Sequence, residues 1–227
     1  MTIDILIDKK DSFELIRDNI AEILAEETIS QQALAIAAGK NPELWKFKVF
    51  VERRDAWEMF YNNEIECPIV VIFFEKCKFS GKASASALYM SAVGQFPIYV
   101  ISAATGEKTS EGQKKADKSA IFNTQRIVRL VRNILYAQPA VNNDPEADYQ
   151  YLNLRGKVGS RRLSEVEMID IDQKKQAIQI SMAKMTLEVG YVESAIEKSS
   201  EIIEMIELET KINDENEMIF QFELEEN

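Results

Sequence analysis

Apolar positions along this chain follow two rhythms, and the change from one to the other marks its elements. In "DSFELIRDNIAEILAEETISQQALAIAAGK" the residues Phe13, Ile16, Ile20, Ile23 and Leu24 recur at intervals of three and four. That spacing places one apolar stripe on a helix. Asp11 or Ser12 is suited to cap it, Glu14 follows Asp11 at capping-box spacing, and Gly39 and Pro42 punctuate its end. The rhythm then shortens to two. In "WKFKVFVERR" Trp45, Phe47, Val49 and Val51 face one way and Lys46, Lys48 and Glu52 the other, as in a half-buried strand. "CPIVVIFFEK" is continuously apolar, which fits a central strand with Pro68 at its start. Ahead of the first helix, Ile3, Ile5 and Ile7 alternate like a short strand or arm.

Small and polar residues in "KFSGKASASALYMSAVGQ" predict a loop or insertion, and "FPIYVISAA" a third strand. "TGEKTSEGQKKADKSA" and "PAVNNDPEADYQYLN" predict further loops, and "LRGKVGSRRL" a basic loop holding Arg155, Lys157, Arg161 and Arg162. "SEVEMIDID" and "QAIQISMAKMTLEVGYVE" read as strands. In the second, Ala183, Met185, Leu187, Val189 and Tyr191 share a face, opposite Lys184, Thr186 and Glu188. Ile178, Ile180 and Met182 lie on that second face too, which predicts a bend or a change of environment along a long strand. Ile206, Leu208 and Ile212 alternate before the turn-forming "NDEN", and Met218, Phe220, Phe222 and Leu224 alternate after it, as in a hairpin. Residues 193–204 fit a short helix equally well. Clustered strands with helices between them predict an α+β fold: a mostly antiparallel sheet, two main helices on one face, and a C-terminal β-hairpin extension. The expected division is a body at 1–192 and an extension at 193–227.

Between the strands lies "QRIVRLVRNIL", with three arginines. With Arg126 set at 0°, a turn of about 100° per residue puts Arg129 near 300° and Arg132 near 240°. Leu130, Ile134, Ile127, Val131, Leu135 and Val128 fall between about 40° and 200° on the same turn. The two arcs do not overlap, so the expectation is a helix packed on a sheet with its arginines outward. Base readout is the least favoured use of them, because no helix-turn-helix frame surrounds the helix and no aromatics interleave with the bases.

Charge changes the picture of the chain's end more than of its body. The formal net charge is −11. From Glu193 to Asn227 there are twelve acids and two bases, a balance of −10, which leaves the preceding residues near neutral. Length and an apolar content of 46% allow one good-sized core, with or without an appendage. No stretch approaches the roughly 18 apolar residues of a membrane span, and the start lacks the order of a secretory signal. The reading is a soluble chain made in the cytoplasm. Cys67 and Cys77 are the only cysteines and there is no histidine. A Cys/His zinc site and histidine-assisted nucleophiles are excluded, and two free, partly buried thiols are expected. Neither a phosphate loop nor a GxGxxG motif occurs. No catalytic residue, cofactor site or metal site is expected, and the chain is read as a non-enzyme.

The order of "IRDNIAEILAEE", "FKVFVERRDAWE", "CPIVVIFFEK", "FPIYVISA", "QRIVRLVRNIL" and "ISMAKMTLEVGYVE" resembles the tail terminator (tail completion) proteins of long-tailed bacteriophages and their relatives that cap contractile injection systems. The similarity covers about residues 11–193. It implies a homo-oligomeric, hexameric ring seated on the last ring of tail tube protein, stopping tube growth and, in contractile tails, sheath growth. The ring then offers a surface to the head-side neck or connector protein, in the virion tail, with no cofactor and no membrane. DNA passes only transiently through the lumen. Under this resemblance Arg126, Arg129, Arg132, Arg155, Lys157, Arg161 and Arg162 are candidates for ring or lumen contacts. Phe220, Phe222 and Leu224 are candidates for a partner contact. Two rival readings are another head–tail connector, such as a stopper or head-completion protein, and a nucleic-acid-binding protein that uses the arginine helix.

Overall fold

The computed structural model describes residues 10–79, 89–105, 107–109, 112–114, 116–136, 158–169, 178–194, 210–212 and 218–220. The expected arm at Ile3, Ile5 and Ile7 lies outside them, as do Arg155, Lys157, Phe222 and Leu224. The chain forms two compact units, Lys10–Ala195 and a second made of Met1–Lys9 with Ile196–Asn227.

Helix α1, Ser12–Ala37, opens with a capping box in which the Asp11 backbone N–H donates to Glu14. Its expected stripe faces inward: Ile16, Ile20, Ile23 and Leu24 are buried and Phe13 packs beside them. Gly39 takes a positive φ of 66° just past the helix end, where a side chain would be strained. Asn41 then caps a 3₁₀ turn, Pro42–Trp45. Trp45 therefore lies outside strand β1, Lys48–Val51, which is shorter than its alternation predicted. The Asn41–Pro42 pair favours a turn there, and Thr28 Oγ1 holds it by donating to the Trp45 carbonyl at 2.7 Å.

A short helix unforeseen from the sequence, α2 (Glu58–Tyr61), carries the chain to β2 (Ile69–Ile72), which pairs parallel with β1. Every other pairing is antiparallel. Strands β3 (Lys76–Phe79), β4 (Tyr89–Thr105), β7 (Ser160–Ile169) and β8 (Ile178–Ser194) complete a six-stranded sheet in the order β1-β2-β4-β8-β7, with β3 also on β4. Strands β4 and β8 pair without a break from Tyr89↔Ser194 to Thr105↔Ile178. Helix α3, Ala116–Tyr136, lies over these two. The body is thus an α+β fold with a mostly antiparallel sheet and its two main helices on one face. A small hairpin, β9 (Thr210–Ile212) with β10 (Met218–Phe220), follows.

Three loop expectations are corrected. Lys78–Phe79 and Tyr89–Gln95 are strand: Lys78 and Phe79 pair with Val93 and Ala92, and small residues suit the crowded centre of a sheet, where a Cβ on Gly94 would lie 2.8 Å from the Phe96 ring. Glu107–Thr109 and Gly112–Lys114 pair as a second small hairpin, β5 with β6, before α3. Arg161 and Arg162 belong to β7, because the β8 ladder extends to Ser160↔Gly190. Residues Glu193 and Ser194, assigned to the extension, also continue β8.

Sheet packing accounts for the residue patterns. The α1/α3 side holds Val70, Ile72, Phe96, Ile98, Val100, Met185, Leu187 and Val189 with the two helix stripes. The other face has a smaller core under α2, formed by Ala56, Met59, Phe60 and Ile65 with Ile69, Val71, Ile101 and Ile180. Strand β2 is buried on both faces, which explains its unbroken apolar run. Ile178, Ile180 and Met182 meet this second core, the change of environment that their placement predicted. Cys67 packs on the α2 side and Cys77 on the α1/α3 side, both as free, half-buried thiols. Among the described residues no helix is long and apolar enough to cross a membrane.

Candidate interaction surface

Helix α3 is built as its angular arithmetic requires. Ile127, Val131, Ile134 and Leu135 are buried, while Val128 and Leu130 flank them half-buried. Its apolar arc also contains one buried hydroxyl, that of Thr124. Thr124 Oγ1 donates to the Ser181 carbonyl at 3.1 Å and lies 2.6 Å from Ser102 Oγ, which is 2.9 Å from the Ala120 carbonyl. This buried network ties α3 to β4 and β8 and fixes how the arginine arc is presented.

The three arginines of that arc are not equivalent. Arg129 and Arg132 are exposed. Arg126 is half-buried; its Nη2 donates to Asn123 Oδ1 at 3.1 Å, and its Nε is buried without a hydrogen-bond partner among the described residues. Desolvation, and then repulsion from Arg129, lower its guanidinium pKa from the ordinary value. Arg126 is therefore part of the helix's shoulder, and the accessible positive charge is carried by Arg129 and Arg132.

Strand alternation sends Arg161 and Arg162 to opposite faces. Arg161 points to the helix side, half-buried, with its guanidinium 6.0 Å from the centre of the Tyr136 ring. Burial lowers its pKa. Tyr136, near the end of α3, reaches β7 and accepts a hydrogen bond from the Leu163 backbone N–H. Arg162 is on the other face, with a side chain 74% exposed, and pairs with Glu188 at 3.2 Å. The structure thus brings Arg161 to the end of α3, against Tyr136, and sends Arg162 to the opposite face of the sheet.

Where Tyr136 meets β7, the β7–β8 register slips between Leu163 and Glu165. The extra residue is Ser164, whose Oγ donates to the Thr186 carbonyl at 3.2 Å. Such a bulge bends the strand. It leaves an open cleft of about 430 Å³ between α3 and β7, lined in part by Arg132, Asn133, Tyr136 and Val166. Beyond it, Val166 and Met168 are 48% and 43% exposed on the helix side of the sheet, where they pair in register with Met185 and Ala183. Neither Tyr136 nor the bulge was singled out from sequence, since one depends on tertiary reach and the other on a ladder slip without a residue signature. Known protein-family models and curated protein sequences give no match to this chain.

The face opposite the α1/α3 core carries polar rows beyond α2, with Val93 and Val192 exposed beside them. Lys76, Gln95, Glu188 and Arg162 stand side by side in register across β3, β4, β8 and β7. Gln95 Nε2 donates to Glu188 Oε1 at 3.1 Å and Arg162 holds the other carboxylate oxygen. A neighbouring row sets Thr186 beside Glu165, joined by a hydrogen bond of 3.0 Å, with Lys184 3.9 Å from the same carboxylate oxygen. Positive and negative groups are thus mixed on this face. Among the described residues no group of three or more cysteines or carboxylates is gathered as a metal ion requires. Phe220 lies in β10.

Proposed function

We propose that the protein is a ring-forming structural component of a phage-type tail, which caps the tail tube, ends its polymerisation and presents a joining surface to the head-side neck. The observation that carries this reading is the unequal covering of the central sheet. One face is covered by α1 and α3 except along β7. The other is covered by α2 at one end and elsewhere bears rows of mixed charge such as Lys76–Gln95–Glu188–Arg162. A subunit with one largely covered and one open face suits a closed cyclic assembly, in which one face lines the interior. A lumen of mixed charge lets DNA pass without gripping it, because net phosphate neutralisation is what drives affinity. The order of elements shared with tail terminator proteins supports the same reading. Arg129 and Arg132 on the outer side are then suited to subunit or tube contacts.

Deletion of the gene tests it. Overlong tails without heads are expected by electron microscopy; tails of normal length count against termination. Native mass measurement with tail tube protein should show a hexameric ring on tube ends. A chain that ignores tube ends but binds duplex DNA with a steep salt dependence would favour a nucleic-acid-binding protein instead.

A further inference from the structure

The outer edge of β7 is the surface that the proposed ring does not account for. Among the described residues no strand pairs with it on the side away from β8. From Glu165 to Ile169 alternate residues direct backbone N–H and C=O groups outward, which is a template for another strand. Upstream the template stops, because the Leu163 N–H is already given to Tyr136 and the ladder slips at Ser164. An added strand would therefore begin at the bulge and run along Glu165–Ile169.

Side chains above that edge specify what such a strand must carry. On the helix side, Val166 and Met168 form a half-exposed apolar floor. Arg132 lines the cleft at its upper end and Arg129 is exposed one turn earlier on the same helix. Glu165 also lines the cleft, but its carboxylate is engaged by Thr186 and lies near Lys184. The floor is apolar, and the helix beside it carries Arg132 and, one turn earlier, Arg129. We infer that the α3–β7 groove is a docking site for an extended acidic segment of another protein, added as a strand to the β7 edge, with apolar side chains on the Val166–Met168 floor and carboxylates toward Arg129 and Arg132. Main-chain pairing would supply affinity and the alternate side chains the selectivity.

The full chain and a short synthetic peptide alternating glutamate and valine test this, with an alternating lysine–valine peptide as control. Fluorescence anisotropy should show the acidic peptide binding about tenfold or more tighter than the basic one, with an advantage that falls as salt rises. Replacing Arg129→Glu and Arg132→Glu together, at exposed positions that leave the core intact, should abolish that preference. Hydrogen exchange should show new protection confined to β7 amides from Glu165 to Ile169. Equal affinity for the two peptides, no measurable binding, or protection elsewhere overturns the inference. So does concentration-dependent pairing of β7 between two copies of the chain, which would make the edge a self-contact.

Discussion

Gly94 illustrates how one absent methyl group organises the centre of the sheet. An added Cβ would lie 2.8 Å from Phe96 Cε2 and 3.3 Å from Tyr191 Cε1, and both rings are buried. Neither ring is free to move aside, so Gly94→Ala should destabilise by about 1–3 kcal/mol in urea unfolding. Gly190 is the contrasting case. Its added Cβ would meet only the Ser160 hydroxyl, which can rotate, so Gly190→Ala should cost distinctly less. Glu193, further along β8, gives a pH-dependent expectation. Burial, and then the neighbouring Asp11, raise its pKa above the ordinary 4.5. The native state therefore holds this proton more tightly than the unfolded chain does, and stability is lost as pH rises from 4.5 through the raised value. Glu193→Gln should melt higher than the parent protein at about pH 7, and that advantage should vanish near pH 4. An advantage that persists in acid would mean that packing is responsible.

Helix α3 and strands β4 and β8 show what can be expected of whole elements. Two hydroxyl protons, on Ser102 and Thr124, serve three short contacts in a site closed to water. Removing one hydroxyl leaves the other group and a carbonyl poorly served, so Ser102→Ala and Thr124→Val should each cost about 1–3 kcal/mol. The double replacement should cost less than the sum of the two, as a thermal or urea double-mutant cycle would show. The sequence made α3 legible because a clean angular separation of Ile127, Val131 and Leu135 from Arg129 and Arg132 needs no tertiary information. It made β2 legible because only a strand covered on both faces is apolar throughout. It hid Tyr89–Gln95, whose small residues look like loop until the ring of Phe96 is placed over Gly94. Arg161 and Arg162 were legible as basic residues but not as a pair divided by the sheet, since that depends on where β7 begins. Thr124 gave no signal beyond its position inside an apolar arc.

At the scale of the molecule, the acidity of the chain and the character of its body are separate matters. Net charge is concentrated after Glu193, while the compact unit Lys10–Ala195 presents paired charges in rows on one sheet face and an arginine-flanked groove at one edge. Composition revealed the first fact and only the fold revealed the second, because register across four strands is set by pairings far apart in sequence. The unbroken β4–β8 ladder also has a consequence in time. Its nearest partners, Thr105 and Ile178, are separated by all of α3 and β7. During synthesis β4 must therefore leave the ribosome, and wait beside α3, long before β8 exists to pair with it. Loop closure over such separations slows folding, and an unpaired apolar strand is a hazard while it lasts. The last strand of the body to be made completes its centre, so assembly of any kind is deferred until the whole body has been made.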